Sequence, residues 1–216
     1  MKFLKLSGIA AVTVVAAMAF LGASTGAASN TLLCTKNTVS LTPTAGDCAA
    51  PTSVHYITVN AAGTMPGKAT LLSNILNIEC NVLITGTVSA SLVTNGPVKI
   101  IVAAGGLVHT NCSGFCTITT LEGGTLLVLK TGVELATVTG DGFRFRKNCP
   151  LFDCDYNLTG VSGHGLAQGS EGKSHVTYAS QKLNLVTDLA SPFGSCPSAS
   201  FLDALFQSLT PLYIRA

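Results

Sequence analysis

The side chains in this 216-residue chain with the strongest chemistry are its eight cysteines, Cys34, Cys48, Cys80, Cys112, Cys116, Cys149, Cys154 and Cys196. Thiols placed like this either oxidise to disulfides or hold a metal as thiolates. An even number of cysteines behind an export signal reads as a disulfide framework. Spacing alone suggests Cys34 with Cys48, Cys112 with Cys116 and Cys149 with Cys154, which leaves Cys80 to Cys196. On the chain-entropy argument a 15-residue loop such as 34–48 contributes about 3 kcal/mol, and each of the two tighter loops about 2. The competing chemistry is zinc, since His109 lies close to Cys112 and Cys116. That spacing is not the paired C-x2-C of a zinc ribbon, and no second pair matches it. No metal or cofactor is expected.

Hydrolytic chemistry has one candidate cluster. Ser162, His164, Asp153 and Asp155 supply a nucleophile, a base and an orienting acid by residue type. Gly160-Val-Ser162-Gly-His164-Gly departs from the nucleophile elbow, which needs glycine where His164 stands and a helix after it. The glycines at 163, 165 and 169 miss the dinucleotide pattern by one residue. Asp153-x-Asp155-x-Asn157 starts like a calcium loop, but Leu158 replaces the glycine and His164 the closing glutamate. Asn111-Cys-Ser113 and Asn157-Leu-Thr159 are formal glycosylation sequons that read as turn residues. His55 and His175 fall in alternating, strand-like segments. The titratable groups are scattered singly, so the expectation is no catalytic residue and no enzyme. A secreted hydrolase near Ser162 and His164 is the alternative.

The elements that must position these groups are strands. From residue 98 to 130 the chain reads VKIIVAAGGLVHTNCSGFCTITTLEGGTLLVLK. Three Val- and Thr-rich runs are separated by Gly105-Gly106, by the Cys112 to Cys116 turn and by Gly123-Gly124, the pattern of a meander with a cysteine at its turns. Further strands are predicted over 32–34, 38–41, 53–59, 70–73, 75–85, 87–93, 133–139, 143–147, 155–159, 175–181 and 182–187. Residues 201–209 fit either a helix face or a strand, and strand is preferred. Alternation places Val54, Tyr56 and Thr58 on one face, and Ile78, Cys80 and Val82 on another. The Gly- and Ser-rich stretch from Gly160 to Ser174 reads as a mobile loop. Strands about every 8–12 residues without helical period predict an all-β, antiparallel sandwich or barrel-like meander stapled by disulfides.

Residues 1–28 read as a signal-peptide helix: Lys2 and Lys5, an apolar run from Ile9 to Leu21, then Gly26-Ala27-Ala28 for cleavage. Residues 29–216 are then one all-β domain, with no transmembrane segment after signal removal. Loss of Lys2 and Lys5 leaves ten basic residues against ten acidic ones. Only 10% of residues are charged, against about 25% in ordinary domains. The densest basic cluster, Arg144, Arg146 and Lys147, alternates with Phe143 and Phe145, which predicts a half-buried strand with a solvated basic face. Nucleic acid is not expected as a partner.

The cysteine positions, with LLC at Cys34, HYITV around Tyr56, the Cys112/Cys116 and Cys149/Cys154 pairs, and Cys196-Pro197 before the closing Leu212-Tyr213-Ile214, resemble a group of secreted, cysteine-stapled β-proteins common in actinobacteria. The resemblance covers most of the chain after the signal. Members often carry a Leu-Pro-Trp-like step where Leu121-Glu122-Gly123-Gly124 stands here. It implies a β fold, a bacterial source and export, and no reaction. The expected role is a secreted or loosely envelope-associated, non-catalytic protein acting by surface contacts with a protein or glycan partner. A carbohydrate-binding module is a further alternative, although the chain has no Trp and only four Tyr.

Overall fold

The computed structural model describes residues 31–35, 51–60, 67–72, 77–90, 92–132, 135–150, 152–166, 173–189 and 196–215. The signal segment, the predicted strand 38–41 and Cys48 lie outside them. The described chain is almost entirely strand. In order these are β1 (Thr31–Cys34), β2 (Ser53–Thr58), β3 (Ala69–Leu72), β4 (Ile78–Val88), β5 (Leu92–Val93), β6 (Val98–Val102), β7 (Leu107–Thr110) and β8 (Thr117–Glu122). There follow β9 (Gly124–Lys130), β10 (Leu135–Asp141), β11 (Phe143–Cys149), β12 (Phe152–Leu158), β13 (Val161–Leu166), β14 (His175–Leu189), β15 (Ala199–Ser208) and β16 (Tyr213–Arg215).

Antiparallel ladders close eight of these strands into a barrel: β2 with β4, β4 with β6, then β9, β10, β13, β14, β15 and back to β2. Closure satisfies the strand edges that an open sheet leaves unpaired. Three strands are long, β4 with 11 residues, β14 with 15 and β15 with 10, and they run on into a second tier. There β3 bridges β15 and β4, β7 lies on β4, and β14 continues into β12, β11 and β8. The second ring has eight strands too. It differs in one respect: no ladder joins β7 to β8.

The tiers meet where single residues let one strand hand over to the next. On β4, β2 occupies Leu83–Thr87 and β3 occupies Ile78–Cys80. Between them Gly67 N donates to Thr58 O at 2.9 Å, and Thr58 Oγ1 donates back to Gly67 O at 2.9 Å while accepting from Val82 N. Gly67 is pressed against the backbone of Val59, where a Cβ would lie 1.8 Å from a carbonyl carbon. On β14 the handover is a bulge between Tyr178 and Gln181, with Ser180 at φ 48° and its N–H held by Asp203 Oδ1 at 2.7 Å.

The core follows the alternation. Val54, Tyr56 and Thr58 point inward from β2, as do Ile78, Cys80, Val82 and Ile84 from β4. One apolar cluster runs through both tiers. A small sheet of β16, β1 and β5 packs beside it. β1 is buried along its whole length, with Leu33 joining the main core and Thr31 Oγ1 accepting from Lys130 N.

Several expectations need correction. Residues 161–166 of the predicted loop are strand β13, tied to β10 over six residue pairs. Glycine and serine are tolerated there because a barrel strand is held by its neighbours' hydrogen bonds, and at Gly163 a Cβ would meet Val176 and Tyr178 within 3 Å. The strands predicted at 175–181 and 182–187 are one bulged strand. Leu107–Thr110 and Tyr213–Arg215 form strands not foreseen, while 201–208 is strand as preferred. Lys147 is not on a solvated face: it is 2% exposed and shares the inward side of β11 with Phe143 and Phe145. Asn157 is a strand residue opposite Arg144, whereas Asn111 is a turn residue at φ 50°.

The disulfides join strands to neighbouring strand ends and connections instead of pairing cysteines close in sequence. They are Cys80–Cys112, Cys116–Cys149 and Cys154–Cys196, which overturns the expected 112–116, 149–154 and 80–196 pairs. Cys34 is also disulfide-bonded. The register explains the changes. Thr117 opposes Asn148, so the next step outward sets Cys116 against Cys149. Cys149 opposes Phe152 and Lys147 opposes Cys154, so Cys149 and Cys154 are only diagonal neighbours. Diagonal Cα atoms lie about 7–8 Å apart, too far for a bridge.

Candidate functional site

The groups that suggested a hydrolase are dispersed. His164 opposes Thr177 on β14, whereas Asp155 opposes Thr187, ten positions further along the strand. That is roughly 30 Å at about 3.3 Å per residue. Ser162 and His164 share one side of β13, and Ser162 N donates to Gln181 Oε1 at 2.9 Å. His164 is exposed.

Asp155 is committed elsewhere. It is 1% exposed and lies beneath two guanidinium groups: Arg146 Nε and Nη2 donate to its two oxygens at 2.8 and 3.1 Å, and Arg144 Nη2 donates at 3.0 Å. Arg144 also reaches Glu122 at 3.2 Å. The hydrogen bonds and charge of Arg146 hold the Asp155 carboxyl below its ordinary range, with Arg144 adding to the effect and burial opposing it. This clamp ties β8, β11 and β12 together on their outer side. It is a structural use of the basic cluster.

The remaining histidines are pairwise or isolated. His55 Nδ1 shares a hydrogen bond with Thr85 Oγ1 across β2 and β4 at 3.1 Å. His175 is half-buried, with its pKa lowered by desolvation and by Lys173. Tyr56 and Ser174 hydroxyls meet at 2.8 Å in a buried knot closed by Ser174 N donating to Ser208 Oγ, and burial pushes the Tyr56 phenol up to about 12. Cys112 and Cys116 are oxidised, so neither sulfur is a thiolate ligand beside His109.

What the fold does assemble is a space. Inside the second tier is a partly open cavity of about 70 Å³. Its walls come from β3, β4, β7, β11, β12, β14 and β15, with Leu126, Gly140 and Val161 of the closed barrel above. The lining is apolar apart from two residues with polar tips. Tyr178 donates its hydroxyl to Val138 O at 3.1 Å. His109 stands edge-on to Phe145 with ring centres 5.8 Å apart, and its Nδ1 has no hydrogen-bond partner. Burial holds this imidazole down to about 4, hence neutral. In the sequence His109 suggests only a metal ligand beside Cys112 and Cys116. The signal that could have placed it inward is its two-residue spacing from Leu107 on an alternating strand.

The fold and this space define a disulfide-stapled antiparallel β-barrel with an apolar lumen. No protein family, curated protein or solved structure matches the chain. Among the described residues no helix is long and apolar enough to cross a membrane.

Proposed function

We propose that this chain is an exported, non-catalytic β-barrel protein that acts by binding, through contacts of its nearly uncharged outer faces with a protein or glycan on a cell surface. The observation that carries the reading is the dispersal of its titratable groups: Asp155 is spent on Arg144 and Arg146, and His164 stands about 30 Å along the sheet from it. Catalytic sites gather such groups in one cleft. Export is supported by the disulfides Cys80–Cys112, Cys116–Cys149 and Cys154–Cys196, a kind of bond that persists in oxidising compartments. Tyr56, Tyr156 and Tyr178 are buried and the chain has no Trp, which leaves little of the Tyr and Trp surface that builds a flat sugar platform. The outer face of β8, with Thr117 and Thr119 exposed beside the Arg144 clamp, is the candidate contact surface.

Two measurements test this. Purified protein and its His164→Ala variant are assayed on p-nitrophenyl esters and on a peptide library. The expected result is no turnover above background in either, and a His164-dependent rate would restore the hydrolase. In parallel, Thr117→Arg/Thr119→Arg protein is compared with wild type for co-sedimentation with the envelope fraction of the producing cells. Reduced retention is expected, and equal retention moves the contact surface away from β8.

A further inference from the structure

We propose that the lumen of the second tier is a binding site for a small, uncharged, apolar molecule bearing one hydroxyl group, admitted through the seam between β7 and β8. This goes beyond the surface-contact reading and does not depend on it.

The chemistry of the walls sets the ligand class. A charged ligand would be desolvated against Leu107, Phe143, Phe145 and their neighbours, and none of the lining residues offers a counter-charge, since Lys147, inward on β11 beyond Phe145, is not among them. Apolar cavities stay dry and take up apolar molecules, and an apolar cavity of about 150 Å³ holds benzene or xenon. A space of about 70 Å³ therefore suits a compact molecule, up to a single ring if the walls yield slightly. The one polar demand is His109 Nδ1, which lacks a partner while the Tyr178 hydroxyl is already engaged. A neutral imidazole presents Nδ1 as acceptor in one tautomer and donor in the other. A hydroxyl answers both, whereas an ether or ketone answers only the second.

The way in follows from the topology. Every other junction of the second ring is a ladder, but across this one Thr120 Oγ1 donates to Leu107 O at 2.8 Å in place of strand pairing. Each lip is fastened to its own side. Cys80–Cys112 anchors the end of β7 to β4, and Cys116–Cys149 anchors the start of β8 to β11. The lips can part without loosening either sheet. Their rim is apolar, with Phe115 in the connecting turn 90% exposed and Val108 on β7 43% exposed.

The test is titration of the ¹⁵N-labelled, disulfide-intact protein with phenol, anisole and xenon, followed by amide chemical shifts. Saturable shifts are expected at Leu107, His109 and Leu126 with all three probes, and phenol should bind about tenfold more tightly than anisole. In His109→Leu, similar in volume, that preference should fall to near unity while xenon still binds. In Thr120→Val, nearly isosteric, phenol association should speed up severalfold with the lumen shifts unchanged. Absence of lumen shifts with both xenon and phenol overturns the site. A phenol preference that survives His109→Leu overturns the role of His109, and an unchanged association rate in Thr120→Val overturns the seam. None of these outcomes bears on envelope retention or ester turnover, so the two readings fail separately.

Discussion

At the scale of the residue, the ionisable groups of this protein matter through burial and pairing, and their effects on stability fall in different pH windows. His109 titrates at about 4 when folded, against about 6.5 in an unfolded chain. Below 6.5 the unfolded state binds the extra proton. The stability associated with neutral His109 is therefore complete above about 6.5 and drains away as pH falls toward 4. The size is on the order of 3 kcal/mol. His175, also lowered, drains in the same direction from 6.5 downward. Asp155 behaves as the lowered carboxylate it is: its contribution holds above the unfolded value near 3.8 and is lost only as pH falls below it. Urea midpoints measured from pH 7.5 to 3 should show a decline beginning near 6.5 and a second one below 4. His109→Leu should flatten the first and leave the second. An unaltered first decline in that variant would place its origin elsewhere.

At the scale of the element, what decides the architecture is where one strand yields to the next. Gly67 is the tightest of these places, since its Cβ-less face touches Val59 carbonyl carbon and oxygen, both backbone atoms that cannot swing aside. Gly67→Ala should lower stability by about 3 kcal/mol or more through forced separation of β2 from β3, at the strained end of single-residue effects. Thermal unfolding measures this directly. Gly105→Ala is the control, because nothing lies within 4 Å of its Cβ position; it should cost less than about 1 kcal/mol. Sequence showed most strands because hydrophobic alternation is a local property: Val54-Tyr56-Thr58 and Ile78-Cys80-Val82 were readable two residues at a time. β13 was not, because VSGHGL has glycines where alternation needs side chains, and its strand state is imposed by β10. The bulge at Ser180 was not either, since a bulge is a relation between two strands.

At the scale of the whole molecule, the staples gather on the second tier and its flanking turns, and the three bridges span sequence separations of 32, 33 and 42 residues. Loops of that length restrict the unfolded chain by about 3–4 kcal/mol each on the entropy argument. Cys116→Ser/Cys149→Ser should therefore lower stability by about 2–4 kcal/mol, read as a shift in urea midpoint. Mapping of the unreduced protein should recover Cys80–Cys112, Cys116–Cys149 and Cys154–Cys196 peptides; recovery of Cys112 linked to Cys116 would contradict the strand register. By itself the sequence determined the β class, the inward faces of strands such as β2 and β4, and the oxidised state of the seven described cysteines, because these depend on residue type and on spacing of two. Only the tertiary structure decided closure of the barrel, the pairing of the cysteines, the dispersal of Asp155 from His164 and the apolar space around His109. Each of those is set by register between strands distant in the chain, and register is fixed by the sum of all the ladders rather than by any one segment.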